Sequence, residues 1–93
     1  MQLNTSVTKI SFASLTHTGQ YTDNYPLGVA MVAAYVKEHF GDTVDVNIYK
    51  HPEEFALDVE ESVPPIICFS TYVWNLQLSY EFARRIKLRS PKT

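Results

Sequence analysis

The run Ile66-Ile67-Cys68-Phe69, set directly behind Pro64-Pro65, restricts the fold of this chain more than any other feature. A strand with one wet face alternates apolar and polar residues. A run apolar at every position is instead built to be covered above and below, as in a parallel sheet held between helix layers. The two prolines stop whatever helix precedes the run. The expectation is an α/β chain in which residues 66–69 form a central strand, with Cys68 a buried packing residue whose thiol is inert.

The rest of the sequence supplies elements in the matching order. Residues 7–15, "VTKISFASL", read as a first strand, followed by the loop "THTGQYTDNY" over 16–25. Pro26 suits a helix start and Gly41 a helix end, which predicts a helix over 26–40. Its apolar residues form two stripes, Val29-Val32-Ala33-Val36-Phe40 and Leu27-Met31-Ala34-Tyr35, too wide an arc for one sheet, so a second covering partner is implied. "VDVNIYK" alternates at period two and reads as an edge strand, and "PEEFALDVEES" as a short helix with acids favourable at its start and unfavourable at its end. Asn75 reads as the N-cap of a last helix that turns Leu78, Phe82, Ala83 and Ile86 inward. Alternating strands and helices with right-handed crossovers give strand order 2-1-3, a three-layer flavodoxin-like or Rossmann-like sheet. No fourth strand follows Pro91, so the 93 residues are expected to be the N-terminal part of one larger domain, interrupted before that strand, with an apolar edge prone to self-association.

Composition narrows the partners. Eight basic against ten acidic residues, with no long run of one sign, lack the electrostatic footprint of a nucleic-acid or anionic-membrane binder. One cysteine cannot form an internal disulfide, and the first residues lack signal-peptide design, so a cytoplasmic setting is expected. No paired carboxylates, Ser/His/Asp set or metal-spaced cluster marks a catalytic or metal site of the chain's own.

Ligands of open α/β sheets dock beyond the carboxyl ends of the strands, where strand order reverses, here between the first and third strands. The loops at that point are 16–25 and 70–75. In the second, "STYVWN", Tyr72 and Trp74 flanked by Ser70, Thr71 and Asn75 could line a flat ligand with hydrogen bonds at its rim, or Trp74 could simply plug the sheet end.

From about residue 7 onward, "NYPLGVAMVAAYVKEHFGDTVDVNIY" and "PPIICFSTYVWNLQLSYEFARRIKLRSP" resemble the N-terminal cobalamin-binding domain of the cobalamin-dependent radical S-adenosylmethionine family. Pro26-Leu27-Gly28, Ala33-Ala34-Tyr35, and Phe69-Ser70 leading to Tyr72 and Trp74-Asn75 carry the likeness. The resemblance implies a five-stranded flavodoxin-like domain whose carboxyl edge faces the corrin, held here by Thr16, His17, Pro26, Leu27, Ser70, Thr71, Tyr72, Val73, Trp74 and Asn75. It also implies a following barrel, absent from these residues, that binds S-adenosylmethionine and an iron–sulfur cluster through CxxxCxxC and carries the enzyme's chemistry, a methyl transfer or a similar radical reaction. Cobalamin domains that ligate cobalt use Asp-x-His-x-x-Gly; aligned on His17, this chain has Leu15 and Gln20 at the Asp and Gly positions. His17 therefore reads first as a loop residue beside the corrin, and the cobalt would have no histidine ligand from this chain. Thr16-His17-Thr18-Gly19 also resembles the phosphate loop of flavodoxins, which keeps an FMN site open; Tyr21 and Asp23 depart from that pattern. A cofactor-free interaction scaffold is the third reading.

Overall fold

The computed structural model describes residues 7–16, 27–72 and 75–93. Its elements are β1 (Thr8–Ala13), α1 (Leu27–Phe40), a 3-10 turn (Gly41–Thr43), β2 (Val44–Tyr49), α2 (Pro52–Glu61), β3 (Ile66–Phe69) and α3 (Leu76–Arg89). The strands form one parallel sheet ordered β2-β1-β3, with Ile10 beside Val46 on one side and Ile66 on the other. This is the three-layer flavodoxin-like or Rossmann-like arrangement.

Period-two alternation along β1 divides the core into two. Ile10 and Phe12 point to one face, where they meet Val29 and Ala33 of α1 and Val44 of β2. Ala13, with Leu15 just beyond the strand, points to the other, against Phe55 and Val59 of α2 and Ile86 of α3. One helix thus covers one face and two cover the other. Phe55 is fully buried and takes edge or tilted contacts from three rings, Phe82 at 5.1 Å, Tyr49 at 5.6 Å and Phe69 at 5.8 Å between centroids. Those contacts tie α2 to β2, β3 and α3 at once.

The turn out of α1 depends on Gly41, whose φ of +56° lies in the left-handed region closed to most side chains. On the α2 face, Lys9 Nζ stands 2.9 Å from both carboxylate oxygens of Asp58. Burial would raise the Asp58 carboxyl, but hydrogen bonds from Lys9 and Tyr49, with the Lys9 charge, outweigh it and hold the group below its ordinary range. Burial first, then the hydrogen bond to Asp58, push the Tyr49 phenol up to about 12.

Residues 66–69 lie at the open side of the three strands, as the order 2-1-3 requires, and their exposure alternates. Ile66 is 45% exposed. Two sequence expectations change. Cys68 is exposed, not buried, because α1 packs on β1 and β2 and does not reach across β3. Asn75 precedes α3 as expected but makes no side-chain capping bond there. The wide apolar arc of α1 is real: Val29 and Ala33 are buried, while Met31, Val32 and Tyr35 remain more than half exposed.

Two outcomes follow from this packing. Phe55→Ala removes a buried ring with three aromatic neighbours and should cost about 3–5 kcal/mol in urea unfolding, enough to leave a domain of this size barely folded. Tyr49 stays protonated in the folded chain up to about pH 12, whereas an unfolded tyrosine titrates near 10.0. The stability it contributes is therefore whole below the lower value and lost as pH climbs through that window, and Tyr49→Phe should flatten that part of the urea-midpoint profile. Asp58 acts in the opposite direction, its contribution being lost as pH falls below the ordinary carboxyl range.

Candidate functional site

Strand order reverses between β1 and β3, and a crevice of about 400 Å³ opens there. Its walls come from Phe12 on β1, Gly28, Val29 and Val32 in the first turns of α1, and Cys68, Phe69 and Ser70 at the end of β3. The origin is the uneven covering of the sheet: α1 shields β1 and β2 and stops short, so the α1-side face of β3 becomes a floor. The size is within the range of small-molecule sites, and the lining is apolar with a hydroxyl and a thiol among it.

Backbone bonds carry the strand ends outward from the sheet. On the β2 side, the Ser14 amide donates to the Tyr49 carbonyl at 2.9 Å and the Thr16 amide to the Lys50 carbonyl at 3.0 Å. The Thr16 hydroxyl reaches the same carbonyl at 3.5 Å, a long contact. On the β3 side, the Ser70 amide donates to the Ala13 carbonyl at 2.9 Å. Asn75 joins the two ends. It is fully buried, its Nδ2 donates to the carbonyls of Leu15 and Ser70, both at 3.0 Å, and its Oδ1 accepts the Tyr72 amide at 2.6 Å.

Among the residues expected at the site, Thr16, Ser70, Thr71, Tyr72 and Asn75 do gather around the ends of β1 and β3, and Leu27 opens α1 beside the crevice. Thr71 and Tyr72 are exposed, Tyr72 by 44%. Asn75 faces inward with its amide engaged by the backbone, so it shapes the rim instead of offering a free group. His17, Pro26, Val73 and Trp74 lie outside the described residues. Phe12, Val29, Val32 and Cys68 line the crevice although the sequence marked them as core. Their signal was the excess width of the apolar arc of α1, in which Val29 and Val32 share one stripe, and the demand of β3 for cover on both faces. Among the described residues no group of three or more metal-ligating side chains comes together, and no helix is long and apolar enough to cross a membrane.

No family model, curated protein or solved structure matches this chain.

Cys68 offers a direct check on the crevice. Its apolar surroundings raise the thiol above its ordinary range, yet its surface is open. A maleimide should modify it fully in the folded protein, more slowly than free cysteine at the same pH and faster as the pH rises past the ordinary thiol range. A thiol that reacts only after denaturation would mean that β3 is covered.

Proposed function

We propose that the chain is the opening part of a cobalamin-binding domain of the radical S-adenosylmethionine type, with the crevice between β1 and β3 as part of the cradle. The observation that supports this most is the place of that crevice: an apolar slot at the carboxyl ends of the strands, at the reversal of strand order, with Ser70 in its lining. A corrin is larger than the slot. In this reading Val32 and Cys68 in the crevice, with Thr16, Ser70, Thr71 and Tyr72 at the strand ends, are the residues that would hold part of the cofactor. The cofactor, when bound, supplies cobalt-centred methyl or radical chemistry. The residues of this chain bind and orient it, exclude water from its apolar side and leave its other face to a radical S-adenosylmethionine barrel in the complete protein. The outer edge of β3, which pairs with no strand among the described residues, and the exposed Ile66 fit the idea that further strands of that domain continue the sheet.

One set of residues favours the interaction-scaffold reading instead. Met31, Val32 and Tyr35 expose apolar surface along α1 whether or not a cofactor sits in the crevice.

Titration with hydroxocobalamin, and separately with FMN, followed by visible absorbance, distinguishes these readings. Cobalamin should bind and FMN should not. Val32→Glu, an exposed position that leaves both cores intact, should weaken the cobalamin complex by tenfold or more, about 1.4 kcal/mol. Binding of FMN would favour the flavin alternative, and binding of neither the scaffold.

A further inference from the structure

An asparagine side chain has one carbonyl oxygen and two amide hydrogens, and at Asn75 Oδ1 accepts one hydrogen bond while Nδ2 makes two. Its backbone partners come from different places: Leu15 follows β1, Ser70 follows β3, and Tyr72 lies in the loop between β3 and α3. One planar group therefore spans the two strand ends between which the crevice opens. The Asn75 side chain is fully buried and its bond to the Leu15 carbonyl is buried with it, so losing that bond leaves a buried carbonyl unpaired; the bonds to Ser70 and Tyr72 are partly buried. Ser70 is held from both sides, its amide by Ala13 and its carbonyl by Asn75. It also supplies the hydroxyl of a lining that is otherwise apolar apart from the Cys68 thiol.

Helix capping does not account for this. A capping side chain accepts a hydrogen bond from an amide two or three residues further on. Asn75 accepts one from three residues earlier, and α3 begins instead with the Asn75 backbone carbonyl accepting the Ser79 amide at 2.9 Å.

We propose that Asn75 is the positioning residue of the crevice: its amide sets the separation of the β1 and β3 ends and fixes Ser70 so that the serine hydroxyl meets the ligand at the rim. The ligand part of this inference rests on the reading of the crevice as a cofactor site; the positioning part does not.

Asn75→Asp separates positioning from capping by sign. Aspartate has the same shape, caps a helix as well as asparagine, and its charge favours a helix N-terminus. A capping residue would thus leave stability unchanged or improved. A clasp would be broken, because a carboxylate oxygen would face the Leu15 and Ser70 carbonyls. Asn75→Asp is expected to lower the melting temperature, to speed amide exchange at Ser70 and Tyr72 by at least tenfold, and to recover in part at acid pH, where the protonated carboxyl can donate. An Asn75→Asp protein as stable as wild type, with unchanged exchange, overturns the proposal. Should that variant not fold, wild-type protein decides. The Asn75 side-chain amide hydrogens should exchange far more slowly than those of exposed Gln77, and equal rates overturn the proposal. With hydroxocobalamin as the probe, Ser70→Ala should weaken binding with little change in melting temperature, and undiminished affinity overturns the role given to the serine. Wild-type protein that binds no cobalamin overturns the ligand part together with the cofactor reading, whereas the exchange measurements still judge the clasp.

Discussion

The structure depends on β1 being hydrogen bonded on both sides. Parallel partners on each flank leave it without a free edge, and its alternating side chains are then committed to two separate cores. Phe12 cannot move without disturbing the α1 layer, nor Ala13 without disturbing the layer of α2 and α3. The one charge on the strand, Lys9, is partly exposed near its start, where Asp58 meets it. A charge two or more places further along would fall within the buried stretch and carry a desolvation cost that no partner there offsets.

Uneven covering of this sheet produces the candidate site. Two helices on one face give Phe55 a closed ring of aromatic neighbours, while one helix on the other leaves β3 with a bare side. The same shortfall accounts for the crevice and for the exposure of Ile66 and Cys68. An apolar floor beside an edge left unpaired among the described residues is costly to leave wet, and a ligand or further protein would each cover it.

The strands and helices could be read in the sequence because each depends on local pattern: alternation in β2, an all-apolar run in β3, glycine and proline at the limits of α1 and α2; strand order then followed from right-handed crossovers. What could not be read depends on neighbours. The all-apolar run reports the cover for which β3 is patterned, and the structure shows the cover that α1 provides, so Cys68 was expected inside and is found outside. Asn75 was misread for another reason. Asparagine before a helix is favoured as a cap, and nothing in the local sequence reveals that its amide reaches Leu15, sixty positions earlier in the chain. The loop positions of the candidate site followed from the switch-point rule, whereas its walls, Val29, Val32 and Phe12, carry the same signature as any core residue.

Asn75 also contrasts usefully with two other buried polar groups. The hydroxyls of Ser11 on β1 and Ser79 on α3 are buried and find no partner among the described residues. Each such group costs about 1–3 kcal/mol unless paired. Serine is small, so little volume is given to a polar group at either position. At Asn75 a much larger polar group is buried with its amide and carbonyl both engaged, and it connects one strand end to another. Close packing alone would be served as well by leucine or methionine of similar volume. A fully paired amide at that position fixes the direction and spacing of three backbone groups at once, which apolar contact, being non-directional, does not do.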